Sequence, residues 1–115
     1  MIDFRFPKTN RLLGSAEFRR VYAGKVFAAD DTLVLNAVEN DLGRLRLGLA
    51  VSKKVGNAVV RNRWKRRIRE AFRLQQHDLA TGMDIVVRPR KDAVCDSAAI
   101  HKSIAKLLRR AAKKV

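Results

Sequence analysis

The chain has 115 residues, with 26 Lys or Arg against 11 Asp or Glu, so its formal charge is +15. That length fits one domain and excludes a multidomain enzyme. An apolar share of 47% suits a folded globule better than a disordered basic tail. Stretches such as Leu47–Val51 fall far short of the roughly 18 residues a membrane-crossing helix needs. Met1–Pro7 has no long apolar core of the signal-peptide kind. The single cysteine, Cys95, has no internal disulfide partner, and a reducing cytoplasm is the expected setting.

Residues 1–14 are basic and polar around Phe4, Phe6 and Leu12, broken by Pro7 and Gly14, and read as an extended, partly mobile arm. Ser15 is a good N-cap for a short helix over 16–23, with Glu17 in its first turn and Gly24 as its stop. Phe18, Val21 and Tyr22 share one face of it. A short strand is expected over 25–28 and a second, covered on both faces, over 32–39. Asn40-Asp41-Leu42-Gly43 is turn chemistry. Arg44–Val51 then alternates, with apolar residues at 45, 47, 49 and 51, and predicts a strand that pairs with the preceding one as a hairpin.

Ser52–Gly56 is a basic connector, and Asn57 is placed to cap a helix over 58–77. Val60, Trp64, Ile68, Ala71 and Phe72 form its apolar stripe; Asn62, Lys65, Arg66, Arg69 and Arg73 fall on the other side. Met83–Val87 predicts a short apolar strand closed by Arg88-Pro89-Arg90. Asp96 or Ser97 caps a last helix with Ile100, Ile104, Leu107, Leu108 and Ala111 inward. Its end is basic: Lys106, Arg109, Arg110, Lys113 and Lys114. The order αβββαβα gives an α+β sandwich, a single domain with three helices on a four-stranded sheet.

The charge is not spread evenly. From Arg61 to Arg73, seven of thirteen residues are basic, against Glu70 alone. A solvated helix face usually mixes signs; here Lys65/Arg69 and Arg69/Arg73 are like-charge neighbours, each unfavourable by a few tenths of a kcal/mol. A sequence that keeps such neighbours expects an anion, and arginine forks match phosphates. Nucleic acid is the first candidate and an anionic membrane surface the main competitor. A helix-turn-helix needs a second short helix just before this one, whereas an alternating strand and a basic loop precede it. RNA, read through backbone, shape and base stacking, fits better. Phe18 and Tyr22, beside Arg19 and Arg20, are either core residues or a stacking platform for unpaired bases on an open sheet face. Trp64 lies on the apolar stripe and reads as core. His77 and His101 stand far apart with no ligand at metal spacing, and the carboxylates at Asp30, Asp31, Glu39 and Asp41 sit in turns. The chain reads as a binder with no catalytic residue of its own.

Arg46–Arg73, which contains Lys53-Lys54-Val55-Gly56-Asn57-Ala58-Val59-Val60-Arg61-Asn62-Arg63-Trp64-Lys65-Arg66, closely resembles the signature of bacterial ribonuclease P protein subunits, with its Arg-Asn-Arg hallmark. Arg11-Leu12 ahead of Phe18 and Tyr22, the Asp84–Val87 strand and the late amphipathic helix agree with it. The resemblance implies one domain over 1–115 and a left-handed βαβ crossover, in a fold also found in a small-subunit ribosomal protein. It implies a protein subunit of an endoribonuclease whose RNA subunit, with magnesium, removes the 5′ leader of precursor tRNA. The protein itself would hold no metal tightly, and one copy would join each RNA. Contacts with the catalytic RNA are implied for Lys53, Lys54, Asn57, Arg61, Asn62, Arg63, Arg66 and Arg67. Leader contacts are implied for Phe18 and Tyr22, in a cleft between the first helix and the sheet, with Lys65 and Arg69 on its rim. Asn36 stands on the cleft strand where some relatives carry an aromatic residue, and Tyr22 where phenylalanine is more common. The rivals are a ribosomal-type or general RNA-binding protein, a self-sufficient nuclease and a membrane-surface protein.

Overall fold

Met83–Val87 is buried at every residue, and a strand covered on both faces belongs in the middle of a sheet. The computed structural model describes residues 11–12, 14–79 and 81–115. In chain order its elements are α1 (Ser15–Ala23), β1 (Val26–Ala29), β2 (Leu33–Glu39), β3 (Arg46–Leu49), α2 (Ala58–Gln75), β4 (Met83–Pro89) and α3 (Ser97–Ala112), with one 3-10 turn at Lys53–Val55 and another at Gln76–Asp78. The expected order αβββαβα holds.

The sheet order is β1-β2-β4-β3. β2 is antiparallel to β1 and to β4, whereas β3 runs parallel to β4 and is joined to it through α2. The expected hairpin between β2 and β3 does not form; β4 lies between them. The reason is burial. β3 is a four-residue strand with half-exposed ends, suited to an edge, while β4 must hide both its faces. β2 also differs from expectation: Leu33, Leu35 and Ala37 are buried, but Val34, Asn36 and Val38 are only half-buried.

That alternation defines two faces. Leu33, Leu35, Ala37, Met83, Ile85, Val87 and Leu47 meet Trp64, Ile68, Ala71 and Phe72 of α2 and Ile100, Ile104, Leu107, Leu108 and Ala111 of α3 in the main core. Both apolar stripes fall where the helical spacing put them, and Trp64 is core. On the other face, a small cluster joins Val21 and Phe18 of α1 to Leu12, Val38, Val86 and Ala50. Among the described residues, one nine-residue helix is the sole helical cover on that side. The caps explain the helix starts. Asn57 Oδ1 accepts from Val60 N–H at 3.0 Å and Asp96 Oδ2 from Ala99 N–H at 2.8 Å. In α1 the cap is Gly14, not Ser15; the Glu17 carboxylate accepts from the Gly14 N–H at 3.3 Å. Of the N-terminal arm, residues 1–10 and 13 lie outside the described residues. Leu12 is anchored: it is buried and its N–H donates to Leu47 O at 2.8 Å.

Asp84 is a fully buried carboxylate on the α1 side of β4. Arg46 donates from Nε at 2.7 Å and Nη2 at 2.6 Å, Asn40 Nδ2 donates at 2.7 Å, and the Arg20 guanidinium bonds Oδ2. Arg46 also pairs with Glu17 at 2.9 Å. Burial pushes the Asp84 carboxyl up, but hydrogen bonds from Arg46 and Asn40 outweigh it and hold the group below the usual carboxylate range. Asp30 is a second such group. Burial again opposes the charge, and the Leu33 and Thr32 N–H donors, with Lys106 at 3.2 Å, bring its pKa from 3.8 to about 2.

Asp84→Asn leaves two guanidinium groups facing a neutral amide and is expected to destabilise the fold by about 3–5 kcal/mol, read from urea unfolding. A carboxyl with a depressed folded pKa lends stability above its unfolded value and loses it as the pH falls through the folded one. Stability is therefore expected to drop between pH 3.8 and about 2, with Asp30 supplying about 2 kcal/mol of that drop. Asp30→Asn should flatten this acid limb; an unchanged pH profile of thermal unfolding would contradict the assignment.

Candidate nucleic-acid interface

The turns of α2 sort its cations into groups around the buried stripe. Arg61, Lys65 and Arg69 lie on one flank, Arg63 and Arg67 on the other, and Asn62, Arg66 and Arg73 point outward. Lys53 and Lys54 are exposed in the 3-10 turn that leads into the helix. Lys53, Lys54, Asn62, Arg63 and Arg66 are thus all exposed, the last three on the outward and neighbouring faces of α2. Two of the expected contact residues, Asn57 and Arg67, also have work inside the protein, and a third, Arg61, is drawn partly into it. The Asn57 side-chain oxygen is taken by the helix cap. The Arg67 guanidinium bonds the carbonyl of Cys95 and ties α2 to the start of α3. Arg61 is half-buried, and its Nε has no hydrogen-bond partner within the protein. Glu70 pairs with Arg73, whose Nε donates at 3.1 Å.

Lys65 and Arg69 occupy the flank that looks toward the N-terminal segment. Burial, and then the positive charge of Arg11, lower the pKa of Arg69. Arg11 bridges β3 at Leu47, and its neighbour Leu12 packs in the cluster with Phe18. Arg69 therefore stands near the residue that bridges the β3 edge, with Lys65 one turn earlier on the same flank of α2.

The aromatic group sits on the α1 face of the sheet. Across the strands, Phe27, Asn36, Val86 and Gly48 form one row, and Ala29, Val34 and Arg88 lie in the next. The Phe18 ring lies directly on Gly48: a Cβ built there would be 2.8 Å from the ring Cζ and 2.9 Å from Cε1. Phe18 is half-buried as a result, and packs as well as presents an edge. Tyr22, one turn on, is 38% exposed. Asn36 is half-buried in the centre of the open half, and Arg88 Nη1 lies 3.4 Å from its Oδ1.

Two features escaped sequence reasoning. Phe27 is 56% exposed on β1, across from Asn36; the short strand predicted there was placed without saying which face its aromatic residue takes. Arg88, Arg90 and Lys91 join Lys54 around a cleft of about 620 Å³ floored by Val55, Val60 and Trp64. The basic run at the end of β4 was the available signal, but a gap of more than thirty residues separates it from Lys54. Among the described residues, no group of three or more His, Cys, Asp or Glu is placed to hold a metal ion, and no helix is long and apolar enough to cross a membrane.

A family model for ribonuclease P matches residues 6–112. The ribonuclease P protein component of Desulfosudis oleivorans is 38% identical over 114 residues, covering 98% of this chain and 94% of that protein. The component of Caldanaerobacter subterraneus is 40% identical over 104 residues, 90% of each. Among solved structures, the RNase P protein of Staphylococcus aureus superposes with a TM-score of 0.80 at 34% identity, over 90% of this chain and 96% of that one. The RNase P protein from Thermotoga maritima gives 0.79 at 31% identity, over 87% and 96%.

Gly48→Ala places a methyl group where the Phe18 ring now rests. The ring must leave the sheet, and a loss of about 1–3 kcal/mol is expected from the misfit. Thermal unfolding measures the loss; ring-current shifts of Leu12 and Val86 methyls in NMR spectra report whether the ring has moved. Unmoved methyl signals would show that the contact does not set the ring's position.

Proposed function

Because the chain belongs to the ribonuclease P protein family, we propose that it binds the catalytic RNA of ribonuclease P and the 5′ leader of precursor tRNA, and so assists endonucleolytic removal of the leader. The observation that carries this reading is the separation of two unlike surfaces on one small scaffold: an exposed arginine-rich face on α2, and a half-open sheet face bearing aromatic rings.

In this reading Lys53, Lys54, Asn62, Arg63 and Arg66 meet phosphates of the catalytic RNA, with Arg61, Arg67 and the free amide nitrogen of Asn57 at the margin. Neutralised phosphates release counterions, which makes binding salt-dependent and reduces the demand for magnesium. Phe18, Tyr22 and Asn36 meet the leader, while Lys65 and Arg69 hold its phosphates from their flank of α2. Stacking of unpaired bases on rings adds about 1–3 kcal/mol per base and tolerates sequence variation. Magnesium and the cleavage step belong to the RNA, and this chain contributes grip. One protein joins one RNA. A cytoplasmic setting accords with the single, half-buried Cys95.

Reconstitution with a bacterial catalytic RNA at low magnesium tests the whole: precursor cleavage should need the RNA and be raised by the protein. Cleavage by the protein alone would sink the division of labour and favour a self-sufficient nuclease. Arg63→Ala and Arg66→Ala should each lower affinity for the catalytic RNA and flatten its log–log salt dependence by about one slope unit. Tyr22→Ala is a clean probe of the leader cleft because the side chain is substantially exposed. It should weaken precursor tRNA about tenfold relative to mature tRNA; equal losses for both ligands would refute the cleft.

A further inference from the structure

The open half of the sheet extends beyond the α1 cluster to the β1 edge, and an aromatic ring stands at that edge. Phe27 shares a row with Asn36, Val86 and Gly48. The row begins under the Phe18 ring and ends at Phe27, three strand spacings away, about 14 Å. Between them lies Asn36, a polar side chain with no ring to offer. Phe27 is 56% exposed, more than any other aromatic side chain among the described residues.

The end of α3 brings positive charge to the same place. Lys114 Nζ donates to Phe27 O at 3.0 Å and lies 5.7 Å from the centre of its ring. Arg110 Nη1 lies 3.4 Å from Ala29 O. These side chains meet carbonyls of β1, which ends the sheet order on that side, with no fifth strand pairing to it among the described residues. A ring with a cation fixed beside it offers one unpaired nucleotide both things it needs, a face for the base and a charge for the phosphate.

We infer that Phe27, with Lys114 beside it, forms a second stacking site for an unpaired nucleotide, at the far end of the leader path. This inference rests on the leader reading above and extends it. The site supplies at the edge strand the ring that Asn36 does not supply at the centre. Its ligand is a nucleotide of the leader distant from the cleavage point. Bases pass from Phe18 and Tyr22, over Asn36 and Arg88, to Phe27. The rule for a tethered strand then applies: a leader too short to reach β1 gains nothing from the site, and a longer one does.

The test uses the assembled RNA–protein holoenzyme and two precursor tRNAs, one with a leader too short to reach β1 and one long enough to pass it. Phe27→Ala should weaken the long-leader precursor about tenfold more than the short-leader one. Phe27→Trp should keep or raise the long-leader preference. Lys114→Ala should reduce the salt slope for the long-leader precursor by roughly 0.7. Circular dichroism and affinity for the catalytic RNA check that each variant is folded and assembled. Equal effects of Phe27→Ala on both precursors would overturn the site. If Tyr22→Ala discriminates precursor from mature tRNA while Phe27→Ala does not separate long from short leaders, the extension alone falls. If neither discriminates, the leader reading falls and this site with it.

Discussion

One buried carboxylate fixes how the two layers of this protein meet. Asp84 sits in the central strand on the sparsely covered face, and the groups bonded to it come from α1, the turn after β2, and β3. An isolated buried charge is strongly unfavourable, whereas one held by several donors is tolerated only with all of them in place. The Asp84 cluster thus makes the position of α1 conditional on the register of β3 against β4. The same contact decides which half of the sheet face is covered. Arg20 and Arg46 draw α1 to the end of β4 that carries Asp84, so the half with Asn36, Val34 and Arg88 is left for something else.

Much of the fold was legible because helix signals are local. Asn57 caps its helix as predicted, Asp96 is the one of two candidates that caps the last helix, and the stripes Trp64–Ile68–Phe72 and Ile100–Ile104–Leu107 are buried as their spacing required. Sheet order was not legible, because it depends on contacts between strands far apart in sequence. Arg44–Val51 alternates well enough to suggest a hairpin partner for β2. Nothing within that window reveals that Met83–Val87, more than thirty residues later, needs the central place more. The Asp84 cluster was hidden for the same reason: an aspartate inside an apolar strand, and arginines at positions 20 and 46, are unremarkable until the sheet brings them together.

The candidate site was legible in its charge and less so in its architecture. The basic run Arg61–Arg73 marks α2 as a candidate surface for anions from composition alone. Geometry then divides that run by task. Arg67 is engaged with the Cys95 carbonyl and Asn57 with the helix cap, so the freely presented set is smaller than the motif. Phe18 illustrates a different limit. The choice between core and binding residue that its sequence position poses is a false one, because the ring packs on Gly48 and still leaves part of itself uncovered.

The division into two surfaces has an energetic logic of its own. Phosphate contacts are long-ranged, weaken with salt and ignore sequence; stacking is short-ranged and depends little on salt. A scaffold that used cations alone would hold any RNA, and its charge of +15 would bind structured and unpaired strands alike. A ring face set on a rigid sheet adds discrimination for strands whose bases are free, since paired bases have no face to offer. The sheet is the right platform for it. Side chains that alternate along a strand put polar Asn36 and apolar Val86 on the same face as Phe27, at spacings fixed by backbone hydrogen bonds. In the proposed function the helix bears the charge because long, exposed cationic side chains adapt to an irregular phosphate path. Each kind of secondary structure would then carry the contact whose geometry it controls.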